Sequence, residues 1–136
     1  MILVGYSGHA FVVYGILQAS GLKVTGYCDM EEKEFNPFDL TYFGKETSES
    51  GLEALGKNDF FIAVGDNAIR RKIYESLHQK GLAPVNAVHP AAVIDRLAVI
   101  ASHGVMIAAN ATINPLAKIG CGAVCNTGCI VEHECV

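Results

Sequence analysis

Residues 107–136 read IAANATINPLAKIGCGAVCNTGCIVEHECV, and the stretch divides into blocks of six. Ile107, Ile113, Ile119, Cys125 and Val131 share one column, and Ala111, Ala117, Ala123, Cys129 and Cys135 fill a second, four places on. An aliphatic residue alternating with a small one at hexad spacing suits a coil whose flat faces are each one short parallel strand and whose corners admit a close backbone approach. The pattern predicts a left-handed parallel β-helix, with Gly120 in the slot where the repeat turns. Upstream the columns weaken. His89, Asp95 and Ala101 stand where an aliphatic belongs, which predicts an irregular first coil and confines the clear signal to residues 101–136.

The repeat takes the last third of the 136 residues, so the chain divides into an α/β unit over 1–85 and the start of the β-helix over 86–136. In the first unit Met1 to Val4 is an apolar run that meets Gly5-Tyr6-Ser7-Gly8-His9-Ala10, after which Phe11 to Ala19 is apolar and of helical length, closed by Gly21. Lys23 to Cys28 alternates toward a second strand ending at Asp29, and Asp59 to Val64 gives another that empties into Gly65-Asp66-Asn67. From Ala68 to Lys80, Ile69, Ile73 and Leu77 recur at helical spacing, with Asp66 or Asn67 as cap and Gly81 as stop. Residues 30–58 yield only a loop, a strand at Leu40 to Phe43 and a short helix near Ser50 to Leu55. This alternation predicts a Rossmann-like parallel sheet with crossover helices.

Charge and composition exclude several classes. Ten Lys and Arg against 14 Asp and Glu leave no basic run for a phosphate backbone, which argues against nucleic acid. The opening MILVGYSGHA has no positive start before its apolar run, and no stretch of about 18 apolar residues exists, so a soluble, cytoplasmic chain with no membrane span is expected. The five cysteines fall in repeat columns or four apart, not in the paired spacing of zinc sites, and read as reduced thiols with no metal.

Three constellations carry chemistry. Gly5-x-Ser7-Gly8 resembles G-x-G-x-x-G with serine at the middle glycine, and Asp29 follows about 20 residues on, where an acid reaches a ribose hydroxyl. Such a turn sets the amides of a helix N-terminus against a diphosphate, and it can equally serve helix–strand packing alone. Asn67 and Arg70 follow the Asp59–Val64 strand. They either line the same crevice or act as a helix start with Arg70 solvated. His133 falls outward beside a corner of the coil with Glu134 as neighbour, either a base with its orienting acid or a solvated pair.

Taken together, Gly5-x-Ser7-Gly8-His9, Asp29, Phe60 to Asn67 with Ile69-Arg70, His89-Pro90, and Asn126-Thr127-Gly128 leading to Glu132-His133-Glu134-Cys135 resemble the sialic-acid O-acetyltransferase and UDP-N-acetylbacillosamine N-acetyltransferase family of hexapeptide-repeat enzymes. The resemblance implies an acetyltransferase that uses acetyl-CoA as co-substrate, takes a UDP-linked amino sugar or sialic acid as acceptor, works in bacterial glycan biosynthesis and assembles as a homotrimer. It implies that His133 is the general base and Glu134 its orienting partner. Ser7, Gly8, His9, Asp29, Asn67 and Asn126 become substrate contacts. Members of that family run on for several more coils, so the resemblance also implies an incomplete β-helix here, with a UDP-sugar-binding module lacking turnover as the alternative.

Overall fold

The computed structural model describes residues 1–136. The α/β unit runs β1 (Ile2–Val4), α1 (Gly8–Ala19), β2 (Gly26–Cys28), β3 (Thr41–Tyr42), α2 (Glu49–Lys57), β4 (Phe60–Ile62) and α3 (Asn67–His78). Its four strands are parallel in the order β3-β2-β1-β4. The chain therefore steps from β1 through β2 to β3 on one side, then returns to lay β4 on the other. Strand order reverses between β1 and β4, and beyond their carboxyl ends lies the crevice where open sheets of this kind hold ligands.

The strands alternate strictly between two cores. Leu3, Tyr27 and Phe61 face α1, while Ile2, Val4, Cys28, Phe60 and Ile62 face α2 and α3. The sequence of α1, GHAFVVYGILQA, is apolar round most of its circumference because it is covered twice, by the sheet and by the coil.

The coil follows as eight two-residue strands: β5 (Ala87–Val88), β6 (Val93–Ile94), β7 (Val99–Ile100), β8 (Met106–Ile107), β9 (Thr112–Ile113), β10 (Lys118–Ile119), β11 (Val124–Cys125) and β12 (Ile130–Val131). They stack into three parallel faces, β5-β8-β11, β6-β9-β12 and β7-β10. This is the parallel β-helix expected from the hexads. On the first face Ala87, Met106 and Val124 point outward into the core around α1, which seats the coil against the α/β unit.

The early coil is regular, against expectation. Val88 pairs with Ile107, Ile94 with Ile113 and Ile100 with Ile119, nineteen residues apart, whereas Ile107 pairs with Cys125 and Ile113 with Val131, eighteen apart. One extra residue near 101–105 moves the frame, so the inward column begins Val88, Ile94, Ile100. His89 and Asp95 come just after it and close their corners instead: His89 Nδ1 accepts from the Ala91 amide at 3.0 Å and Asp95 Oδ1 from the Leu97 amide at 2.8 Å. Asn86 spans the longer corner, donating to the Ala101 carbonyl at 2.7 Å and accepting from the Val105 amide at 2.9 Å.

Later corners turn differently. Gly104, Asn110, Leu116, Gly122, Gly128 and Glu134 all have left-handed φ between 58° and 70°, one every six residues. The turning slot is thus two places past Gly120, which has an ordinary φ. The small inward column holds through Ala111 and Ala117 at 0% exposure, but Cys129 is only half-buried and Cys135 is exposed. All five cysteines are free.

Candidate functional site

Four segments meet at the crevice between β1 and β4. The turn after β1 begins at Gly5, with φ of 89°, where a Cβ would lie 2.6 Å from Val64 Cγ2. Only glycine fits there. Gly8 differs: its φ is ordinary, and a Cβ would meet nothing of the chain within 4 Å. Glycine at the first turn of a helix costs stability relative to alanine and here returns no packing, so nothing in the fold itself requires it at Gly8.

Ser7 is the N-cap of α1, and its side chain makes no capping bond. By contrast Ser48 Oγ caps α2 at Gly51 and Asp66 Oδ1 caps α3 at Ile69. The first-turn amides of α1 therefore keep their donors and the positive end of the helix for the crevice. Asp29, at the end of β2, accepts from the Tyr6 amide at 2.8 Å and from the Met30 amide at 2.7 Å, and its Oδ1 lies 3.3 Å from Lys33 Nζ. Its carboxylate thus clamps the glycine turn.

His9 follows on the rim. Its Nε2 is buried and has no hydrogen-bond partner. Burial first, and then the nearby Arg70 charge, holds the imidazole below its ordinary pKa, so at neutral pH it is uncharged. Gly65 lies directly against it, with a Cβ position 3.5 Å from His9 Cβ.

Arg70 is not solvated, as the simpler sequence reading had it. It is 7% exposed, the one charged side chain among the buried residues. Its guanidinium donates to the carbonyls of Val64 at 2.9 Å and Gly65 at 3.0 Å, to the Asn67 side-chain oxygen, and to the Gly122 carbonyl of the coil at 3.1 Å. Asn67, expected as a ligand contact, is exposed on the rim with its oxygen engaged by Arg70. Ser7, Gly8 and His9 thus follow the turn that Asp29 holds, and Asn67 stands at the start of α3, joined through Arg70 to Gly65, against which His9 rests.

The remaining expected residues lie on the coil. Asn126 is exposed just after β11. His133 and Glu134 occupy the corner after β12, where the left-handed φ of Glu134 brings its Oε2 to 3.4 Å from His133 Nδ1. Their side chains are 73% and 71% exposed. Beside them Glu132 accepts from Asn114 Nδ2 at 3.1 Å, and the Glu134 amide donates to the Pro115 carbonyl. The Gly122 corner held by Arg70 and the His133 corner are different edges of the prism, and within one chain no hydrogen bond joins the crevice residues to His133 or Glu134. No three His, Cys, Asp or Glu side chains converge as a metal set would. No helix is long and apolar enough to cross a membrane.

Arg70 in its bridging role, Lys33 and Asn86 were not legible as contributors. Three of the four acceptors of Arg70 are backbone carbonyls, one of them 52 residues away, and no side-chain pattern marks those.

The family described as the PglD N-terminal domain matches residues 1–77. Among solved structures, a histidine-to-alanine mutant of GDP-perosamine N-acetyltransferase from Caulobacter crescentus, in complex with CoA and GDP-perosamine, is 30% identical at a TM-score of 0.85, covering 97% of this chain and 62% of its own. PerB from the same organism, also in complex with CoA and GDP-perosamine, is 31% identical at a TM-score of 0.83 over the same shares. The acetyltransferase domain of PglB from Neisseria gonorrhoeae, in complex with acetyl coenzyme A, is 24% identical at a TM-score of 0.81, covering 98% and 64%, and speaks to the fold. The chain thus spans somewhat less than two thirds of the length of these relatives.

Proposed function

Because the chain belongs to the family of the PglD N-terminal domain, we propose that it binds a nucleotide-linked amino sugar at the β1/β4 crevice and serves acetyl transfer from acetyl-CoA to the sugar amine, in bacterial glycan biosynthesis. One observation carries the first half: an uncapped helix N-terminus faces open space at Gly8, beside the unpartnered Nε2 of a neutral His9, at the point where strand order reverses. A diphosphate suits those amides. Ser7, Gly8 and His9 contact it in this reading, Asp29 reaches the nucleoside with lone pairs its backbone bonds leave over, and Asn67 and Asn126 are polar contacts to the substrate. The nucleotide is UDP on the sequence resemblance, while the Caulobacter relative holds GDP-perosamine.

For the chemistry, the 3.4 Å contact between His133 Nδ1 and Glu134 favours the tautomer with its proton on Nδ1, leaving the Nε2 lone pair free. The amine nitrogen attacks the thioester carbonyl carbon and its proton passes to Nε2. The C–S bond then breaks, and the departing CoA thiolate takes the proton back, with no acyl-enzyme. A sialic-acid hydroxyl is the alternative acceptor. In this reading a homotrimer supplies the opposing wall. Val93, Val99 and Ile130 stand 57–64% exposed on the two faces that the α/β unit leaves bare, with Leu97 and Leu116 at their corners, an apolar surface suited to a second coil. A cytoplasmic setting fits the five free cysteines.

The exposure of His133 also favours a second reading, binding without turnover, since no other part of the chain closes over it. Mixing the chain with acetyl-CoA and a UDP- or GDP-linked 4-amino sugar and following thiol release separates the two. Transfer that falls roughly 10²–10⁴-fold in His133→Ala supports the enzyme. Transfer indifferent to His133→Ala refutes the assigned base, and nucleotide binding with neither CoA binding nor transfer supports the module.

A further inference from the structure

Arg70 presents an unusual arrangement, a buried cation with no ion pair. All four of its acceptors are neutral oxygens, three of them backbone carbonyls, and they come from three places: the end of β4, the start of α3 and a corner of the coil. A guanidinium suits this because its planar fork serves several acceptors at fixed angles, which a lysine ammonium cannot reproduce.

The surroundings show what the bond to Gly122 accomplishes. On the α1 side the two units are joined by packing, with Met106 and Ala87 in the core around α1 and Ser20 Oγ donating to the Val88 carbonyl at 2.7 Å. On the α3 side packing is incomplete. A cavity of about 420 Å³ lies between α3 and the coil, lined by Tyr74, Pro84, Gly104 and Cys121 among others. Across that gap the Arg70 Nε bond to Gly122 is the only hydrogen bond from α3 to the coil. The other end of the same side chain holds Val64 and Gly65, and Gly65 is the surface against which His9 rests.

We propose that Arg70 is a positioning residue that sets the nucleotide rim at Gly65–Asn67 in register with the coil wall running from Gly122 through β11 to Asn126. This rests on the reading of the crevice as a nucleotide site. One side chain then determines both the shape of the rim around His9 and the distance from the rim to the wall along which the sugar extends.

The test uses the whole chain with hydrogen exchange and calorimetry, with UDP and GDP as probes. In the wild type, the rim amides of Ile69 and Arg70 and the corner amides of Gly122 and Ala123 should open together, with matching protection as urea is raised. Rim and corner that exchange independently overturn the proposal without any variant. In Arg70→Met both should exchange faster and nucleotide affinity should fall roughly tenfold, the order expected when several buried acceptors lose their donor. In Arg70→Lys the compact ammonium can stay with Val64 and Gly65 but not also span to Gly122. Affinity should therefore remain within about threefold while the corner alone loosens. Equal loosening of rim and corner in Arg70→Lys, or wild-type exchange in Arg70→Met, contradicts the assignment. If the wild type binds neither nucleotide, the crevice reading fails, and the exchange data still decide whether Arg70 couples the two segments.

Discussion

The carboxylate of Asp29 accepts a hydrogen bond from the backbone amide of Tyr6 at 2.8 Å, so the end of β2 holds the turn that follows β1. A second bond from the Met30 amide fixes the carboxylate itself. Asp29→Ala removes both acceptors and leaves the Tyr6 amide, in a residue 2% exposed, unpaired. Unfolding in urea should show a loss of about 1–3 kcal/mol, the usual cost of a stranded buried donor. An unchanged midpoint would mean that the turn holds itself.

The two glycines of the turn should respond in opposite ways. Gly5→Ala forces a Cβ to within 2.6 Å of Val64 Cγ2 at a left-handed φ, and should cost at least 1 kcal/mol by overpacking and strain. Gly8→Val enters open space and should keep the urea midpoint close to that of the wild type. Comparable destabilisation in both variants would show that Gly8 too is held by the fold.

His9 makes stability depend on pH. Its imidazole titrates below the ordinary value in the folded chain, from burial and then from Arg70, so between the two pKa values the unfolded chain binds more protons. The stability it contributes is present above the unfolded value of about 6.5 and is lost as pH falls through that window toward the folded pKa. Urea midpoints should drop between pH 7 and pH 5, and the drop should be smaller in His9→Gln. Identical slopes in the two proteins would remove His9 as the cause.

Thiol chemistry should sort by position. Burial pushes Cys28 up to about 12 and Cys125 up to about 11, so neither forms much thiolate at neutral pH. Cys121 and Cys135 are exposed. Brief treatment with iodoacetamide followed by peptide mass analysis should label those two first and leave Cys28 unmodified until the chain is unfolded. Early labelling of Cys28 would contradict the packing of β2.

What could be read from the sequence was whatever depends on periodicity. The columns from Ile107 to Val131 predicted the coil, and the strand–glycine–helix order predicted the sheet. The first coil was read as irregular because a single extra residue near 101–105 shifts a fixed six-residue frame, turning Val88, Ile94 and Ile100 into apparent surface positions and His89 and Asp95 into apparent intruders. The bridging role of Arg70 was missed because three of its four partners are main-chain oxygens brought together only by folding. For Asp29 the position could be read, but not its grip on the Tyr6 amide, since a backbone donor has no letter in the sequence. His133 and Glu134 were legible as sequence neighbours, whereas the left-handed turn that sets their side chains 3.4 Å apart depends on the corner geometry of the coil.

The central claim is that the crevice between β1 and β4 receives a nucleotide diphosphate. Calorimetric titration of UDP and of GDP into the wild type and into Gly8→Val tests it most directly, because that substitution sets a side chain in the open space at the first turn of α1 without disturbing the core. Binding of one nucleotide per chain is expected in the wild type and should weaken at least tenfold in Gly8→Val, about 1.4 kcal/mol. Absence of binding by either nucleotide, or equal affinity in the two proteins, would show that the turn serves the fold alone.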